Sequence, residues 1–420
     1  MKFGNLLDST IGICNRLADA GFSSYVVGGA VRDLLMQRTP KEFDITTSAT
    51  PEQVKELFPK TVAVGEAFGV VCVIERGQPF EVATFRQEKG YSDGRHPDSV
   101  APGTLEHDLL RRDFTVNGLV LDPSSWIIYD YIGGIADLNA RTIRAIGDPG
   151  TRLREDFLRT LRAVRFAAVL DFELDPPTRL AVEANAAGLQ RISRERVRAE
   201  LEKMAGAFFP VGLRLLYETG MGPFVLPFFP DLSSAQVDQA CSVLAAVDSR
   251  STLPHCLAAL NMTVASPRSG SAAANLKELD TDLRGQAESL RLSADQRKAT
   301  VQMLWLAASL PGAQKLRLAR RVELYRSPWF DDVAAMLQAR LGAGGTGATW
   351  LGQLAQERQD LPDEQLYPPT LVTGKDLIAM GVAAGPQFKL LLQQVEDLVV
   401  EGQLSDREEA LAWLKSNLSC

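Results

Sequence analysis

The feature that most constrains the fold is a change of hydrophobic period part-way along the chain. Through about the first 140 residues, short alternating runs of strand type are interleaved with helical ones. From about Thr151 the strand pattern nearly vanishes, and a helical period runs to the end. It is broken at Gly222-Pro223 through Pro230, at the small residues 265–275, and at 342–347, where four of six residues are glycine. The pattern predicts an α+β head followed by a long all-helical remainder. The 420 residues suffice for two to four domains of ordinary size, and no internal repeat is evident.

Within the head, Tyr25-Val26-Val27 forms a short strand that runs into Gly28-Gly29, and a helix follows over 30–37. Residues 42–46 alternate, with Glu42, Asp44 and Thr46 on one face of a strand and Phe43 and Ile45 on the other. Thr50-Pro51-Glu52 opens a helix, with a capping residue followed by proline at the first helical position. Residues 70–74 and 80–85 make a hairpin through Arg76-Gly77-Gln78-Pro79. The stretch 87–103 is polar and without period, as expected of a mobile loop. A helix over 108–119 and a strand over 126–129 complete the head.

Composition narrows the class of protein. Hydrophobic content of 45% with 23% charged residues is ordinary for a globular chain. No run approaches the ~18 apolar residues of a membrane span. The N-terminus carries Asp8 and Arg16 within its apolar pattern, which predicts an amphipathic helix rather than a signal peptide. Five scattered cysteines without a CxxC pair argue against a zinc site or a disulfide scaffold and fit a reducing cytoplasm. With 45 basic against 52 acidic residues the net charge is −7, unlike the footprint of a tight nucleic-acid binder. Any RNA must meet a local basic face, and transient, salt-sensitive contact suits an enzyme that releases its product. Nothing points to a membrane or a protein partner.

Four constellations carry chemistry. In Gly28-Gly29-Ala30-Val31-Arg32-Asp33, two glycines between strand and helix let backbone N–H groups approach a phosphate, with Arg32 one turn in to add a bidentate contact. Alone, such a turn is equally plain geometry. In Glu42-Phe43-Asp44, residues at i and i+2 project to one side of a strand. Two converging carboxylates repel unless a cation lies between them, and hard oxygen ligands with room for phosphate suit Mg²⁺. That pair alone also fits a solvated edge strand; the Gly-Gly turn about 13 residues upstream favours a triphosphate cradle beside a metal-binding strand. Glu81 is either a third ligand or a surface residue. In Arg111-Arg112-Asp113-Phe114-Thr115-Val116-Asn117, Arg112 is a candidate for phosphate and Asp113 for a ribose hydroxyl, unless the run is simply a charged helix start.

The fourth is Glu155-Asp156-Phe157-Leu158-Arg159-Thr160-Leu161-Arg162, where Asp156, Arg159 and Arg162 share one polar helix face. A surface salt bridge would look the same. The sharper reading uses hydrogen-bond chemistry: ionised Asp only accepts and Arg only donates. Together they complement an amino donor next to a ring-nitrogen acceptor, the edge of cytosine (N4, N3) and of adenine (N6, N1). Uracil and guanine present a carbonyl next to an N–H and would be rejected. His107-Asp108 is read as structural, since the chain has only three histidines and none that could complete a metal phosphohydrolase centre with it.

In this order the motifs resemble the class II tRNA nucleotidyltransferases, the CCA-adding enzymes and bacterial poly(A) polymerases. GGAVRDLLMQRTPKEFDITT at 28–47 resembles the Gly-Gly and metal-acid signature, and RRDFTVNGL at 111–119 the ribose motif. DYIGGIADLNARTIRAIGDP at 130–149 resembles the linking motif that lets the head move. EDFLRTLRAVRF at 155–166 resembles the base-reading motif, and RERVRAELEKM at 194–204 the helix that supports it. The likeness is dense over 20–205 and continues weakly at TGKDLIAMGVAAGPQFKLLL near the C-terminus.

The resemblance implies a palm-like nucleotidyltransferase head over 1–140, a neck over 141–205, a body over 206–310 and a tRNA-binding tail over 311–420, arranged like a seahorse. It implies that Glu42 and Asp44 hold two Mg²⁺ ions, and that Gly28, Gly29, Arg32, Arg112, Asp113, Asp156, Arg159, Arg162 and Arg165 bind nucleotide. CTP and ATP would be substrates, and body and tail would hold the acceptor stem and elbow of tRNA by shape and backbone. Glu42 stands where the family more often has Asp; Glu ligates Mg²⁺ through a longer arm. The segment 91–97 resembles the flexible loop that the family needs for the final A. The alternatives are an A-adding enzyme, a poly(A) polymerase, which the mildly acidic end LSDREEALAWLKSNLSC disfavours, and a catalytically inactive tRNA-binding protein, which the intact acids disfavour.

Overall fold

The computed structural model describes every residue except 1, 63–68, 92, 93, 95, 96, 207, 230, 248–250, 265–275, 343–348, 384, 419 and 420. The chain divides into two compact units, residues 1–204 with 211–232, and residues 205–210 with 233–420. The first holds both the head and neck spans expected from sequence.

The first unit is built on a seven-stranded mixed sheet. Its strands are β1 (Ser24–Val27), β2 (Asp44–Thr47), β3 (Thr61–Val62), β4 (Val70–Glu75), β5 (Gln78–Thr84), β8 (Val120–Asp122) and β9 (Ile127–Tyr129), in the order β3-β4-β5-β2-β1-β8-β9. Strand β2 runs antiparallel to β1 and parallel to β5, so Asp44 follows Val27 in register on one side and stands beside Glu81 on the other, one step before the Ile45–Val82 pair. The hairpin β4–β5 closes on Arg76-Gly77, both at positive φ (49° and 76°), the twist a two-residue turn demands. The amphipathic N-terminal helix α1 (Lys2–Asp19) lays Ile13, Cys14 and Leu17 on a core that includes Ile45, Val71, Val73, Phe80 and Val82. Helix α3 (Pro51–Leu57) starts with a full capping box between Thr50 and Gln53, as the Thr-Pro pair predicts.

Three expectations are corrected. The stretch 87–103 is not a loop throughout: β6 (Arg86–Lys89) pairs antiparallel with β7 (Ser99–Pro102). The helix expected over 108–119 is α4 (Leu105–Leu110) only. After it, Asp113 turns its carboxylate onto the Phe114 N–H, Phe114 is extended and bridges Ala145, and only Thr115–Asn117 returns to a short 3₁₀ turn. An Asp side chain that bonds nearby backbone competes with helix in this way. Strand β2 begins at Asp44, leaving Glu42 in the approach to it.

Between head and neck lies α5 (Gly134–Asn139), whose first N–H groups are gathered by Asp130: its carboxylate accepts from Ile132, Gly133, Gly134 and Ile135 at 2.9–3.2 Å. Thr115 donates to Asp137, which also takes Arg144. Four helices follow in the same unit, α6 (Pro149–Glu155), α7 (Leu158–Leu170), α8 (Pro176–Asn185) and α9 (Arg194–Met204), with one small parallel pair, β10 (Thr142–Ile143) and β11 (Glu173–Leu174). The second unit is helical in its described residues. Its C-terminal part buries Val372, Leu377, Val395, Ala410 and Leu414 among the helices Gly374–Ala379, Pro386–Val400 and Arg407–Leu418.

Candidate active site

The Gly-Gly turn leaves β1 and enters α2 (Gly29–Leu35). Gly28 adopts φ 76°, ψ −135°, a conformation that strains any residue with a Cβ. A Cβ there would lie 3.4 Å from Arg112 Nη1 and 3.9 Å from Asp44 Oδ2. Turn, guanidinium and acid therefore meet at one spot, although they come from β1, the segment after α4, and β2. Arg112 is held by its Nη2 on Asp108 Oδ2 at 3.2 Å.

Asp44 is partly buried, whereas Glu42 and Glu81 are exposed beside it. Burial first, then the charges of Glu42 and Glu81, push its carboxyl from 3.8 up to about 6, against the opposing pull of Arg112. The charges of Glu42 and Glu81 thus act on Asp44 where β2 begins beside the middle of β5. Among the described residues no group of three or more His, Cys, Asp or Glu side chains is placed to hold a metal ion. Two hard carboxylate donors, electrostatically short of a cation and with coordination left for phosphate oxygens, fit Mg²⁺.

The sequence places Arg32 on phosphate. In the structure its guanidinium is turned inward: Nη1 donates to Asn117 Oδ1 at 2.6 Å, Nε and Nη2 to Asp33, and it lies 5.4 Å from the Phe166 ring. Asn117 passes the link on, its amide donating to Asp113 Oδ1 at 3.1 Å. Asp113 Oδ2 takes Arg162 Nε and Nη2 at 2.8 and 2.6 Å. Burial opposes ionisation of Asp113, but the charge of Arg162 and the bonds from Asn117 and Arg162 outweigh it and lower its pKa. Arg165 lies 3.8 Å over the same Phe166 ring and pairs with the buried Glu200 of α9. Asp113, Arg162 and Arg165 are thereby brought into one network.

Asp156, Arg159 and Arg162 do not share one continuous helix. Asp156 is extended (φ −146°, ψ 106°) between α6 and α7, and its carboxylate accepts the Leu158 N–H at 3.0 Å. This is a correction of the single polar face expected from spacing: only Arg159 and Arg162 share the α7 surface. Asp156 is gripped by Arg196 of α9 at 2.6 and 3.3 Å. Arg159 is gripped by Glu155 and donates to the carbonyls of Arg152 and Arg111, both at 2.9 Å. Phe157 fills the space made by two glycines. A Cβ on Gly188 would come within 2.1 Å of its ring, and one on Gly94 within 3.0 Å. Of the segment 91–97, Ser92, Asp93, Arg95 and His96 lie outside the described residues. Tyr91 donates its hydroxyl to Glu88.

Sequence reasoning gave no role to Asp108, Asn117, Arg196 or Glu200, all of which hold site residues. The last two were legible in part: they stand at i and i+4 in α9, so they face one side together. Asp108 was set aside as structural.

Comparison with known proteins identifies the family. The poly(A) polymerase head domain matches residues 24–144, and the probable RNA and SrmB-binding site of polymerase A matches 171–232. The CCA-adding enzyme of Levilactobacillus brevis is 33% identical over 402 residues, 95% of each chain. That of Geobacillus thermodenitrificans is 46% identical over 217 residues, 51% of this chain and 54% of the relative. The crystal structure of the Bacillus stearothermophilus CCA-adding enzyme in complex with CTP superposes with a TM-score of 0.67 at 30% identity, covering 98% of both chains. The chain belongs to the CCA-adding enzymes, nucleotidyltransferases of the poly(A) polymerase family.

Proposed function

We propose that the protein adds CCA to the 3′ end of tRNA without a template, taking CMP and AMP from CTP and ATP and releasing pyrophosphate. The observation that carries this reading is the meeting of Gly28, Arg112 and Asp44 within about one side chain's reach of one another. Catalysis in this family is metal-dependent. Here Glu42 and Asp44 would hold Mg²⁺, with Glu81 adding negative charge; bound there, the ions would supply charge neutralisation at the reacting phosphates.

The remaining residues have separable tasks. Gly28 and Gly29 let the triphosphate approach the backbone, and Arg112 offers it a guanidinium. Asp113, ionised and acceptor-only, is the candidate for a ribose hydroxyl, which would share its carboxylate with Asn117 and Arg162. Arg32, Arg162 and Arg165 stabilise that surface from behind through Asn117, Asp113, Glu200 and Phe166. Asp156 and Arg159 read the amino and ring-nitrogen edge shared by cytosine and adenine, and the grips of Arg196 and Glu155 keep each in place. The terminal hydroxyl of tRNA loses its proton to solvent as its oxygen attacks the α-phosphorus, the bond from that phosphorus to the oxygen bridging it to the β-phosphate breaks, and pyrophosphate leaves with the negative charge. The head is assigned to 1–140, the neck to 141–205, and the body and tail that hold tRNA to 206–310 and 311–420. The tRNA substrate supports a cytoplasmic location. Among the described residues no helix is long and apolar enough to cross a membrane.

The test offers the protein three tRNAs, ending before CCA, after C and after CC, with CTP, ATP or both and Mg²⁺. The expected outcome is C, C and A added in order, then a stop. A added only to the CC end, or long A tails, would replace this reading with A addition or polyadenylation.

A further inference from the structure

One acid stands behind the nucleotide site and is fully buried. Asp108, in α4, accepts Arg111 Nε and Nη2 on Oδ1 at 3.0 and 2.6 Å. Its Oδ2 accepts Arg112 Nη2 at 3.2 Å and the Thr46 hydroxyl at 3.3 Å. Thr46 lies on β2 two residues after Asp44, on the same side of the strand. A single carboxylate therefore fastens the arginine beside Gly28 to the strand that carries Asp44. Its other arginine, Arg111, reaches Glu88 of β6 at 3.4 Å and lends its backbone carbonyl to Arg159.

We infer that Asp108 is a positioning residue for the incoming nucleotide: it holds the Arg112 guanidinium between Gly28 and Asp44 and so sets the KM of CTP and ATP alike. Two guanidiniums on adjacent residues repel, and an unanchored arginine samples many rotamers. The carboxylate between them removes both problems and leaves Arg112 Nη1 facing the turn. The effect is blind to the base: the Asp108 carboxylate bonds neither Asp156 nor Arg159, and Arg159 meets only the backbone carbonyl of Arg111, not the guanidinium that Asp108 holds. This inference rests on the assignment of Arg112 to the triphosphate.

The test is steady-state kinetics of Asp108→Asn, which keeps the shape and removes the charge. Nucleotide KM should rise about tenfold for CTP and ATP equally, the loss expected for a charge-assisted contact. The kcat and the KM for tRNA should stay within about twofold, and UTP should still be refused. A fall in kcat with unchanged KM is what a merely structural acid would give, and it overturns the inference. Combined with Arg112→Ala, the Asp108 change should add nothing further; an additive rise overturns it as well. Should Arg112→Ala itself leave both nucleotide KM values unchanged, the phosphate assignment fails and takes the inference with it. If Asp108→Asn does not fold, Thr46→Val removes one donor to the same carboxylate. It should raise both KM values about two- to threefold, and no rise counts against Asp108.

Discussion

At the scale of single residues, Asp44 shows function working against stability. Its carboxyl sits near pH 6 in the folded protein and near 3.8 in the unfolded chain, because burial and two neighbouring acids disfavour its charge. A folded-state pKa above the unfolded value means that stability is greatest below pH 3.8 and is lost as pH rises towards 6. At neutral pH the ionised group costs the apo protein up to about 3 kcal/mol. Asp44→Asn should therefore raise the melting temperature in metal-free buffer at pH 7.5 and leave it unchanged at pH 4, while nucleotide transfer is abolished. Mg²⁺ should raise the melting temperature of the parent and not of the variant. Calorimetry at the two pH values checks this; equal melting of both proteins at pH 7.5 would show that the acid is not under strain.

At the scale of elements, what the sequence made legible was what is held locally. The β1–Gly28-Gly29–α2 turn, the Thr50 cap and the Arg76-Gly77 hairpin depend on neighbours within a few residues, and all are found where the residues predict. The misread segments are held from far away. Asp113 leaves the helix with its carboxylate on the Phe114 N–H, and Arg162, 49 residues on, holds that carboxylate. Asp156 breaks the helix before α7 while Arg196, 40 residues on, grips its carboxylate. Period alone cannot see such pairs. The same break sets Phe157 between Gly94 and Gly188, and here a glycine is required by space: Gly188→Ala would drive a methyl into the ring. The expected loss is about 1–3 kcal/mol, and Phe157→Leu in the same chain should recover part of it. As a control, Gly285, inside the helix Leu276–Leu290 with nothing within 4 Å of its Cβ position, should tolerate Ala with a gain of up to about 1 kcal/mol. Denaturant melts of the three variants decide; a neutral Gly188→Ala would mean that the Phe157 slot is slack.

At the scale of the whole molecule, the charge of −7 is informative because so many of the arginines are already committed. In the neck, Arg194 donates to the Phe224 and Val225 carbonyls, Arg196 pairs with Asp156 and Arg198 with Glu202. In the second unit, Arg317 and Arg320 share Asp397, Arg321 pairs with Glu357 and Arg326 with Glu396. These arginines lie in two basic stretches, residues 191–198 and 315–326. Each guanidinium that keeps its carboxylate brings little net charge to a phosphate, so few counterions are released when tRNA docks. Recognition must lean on shape and on hydrogen bonds to the backbone. Proteins that make 6–10 phosphate contacts lose roughly 10³–10⁵ in affinity between about 50 and 200 mM salt. This enzyme should lose less than about a hundredfold over that range, with a slope of log affinity on log salt shallower than about −3. Fluorescence titration of labelled tRNA against salt measures the slope directly. A value steeper than about −6 would mean that these pairs open on binding and hand their arginines to the RNA.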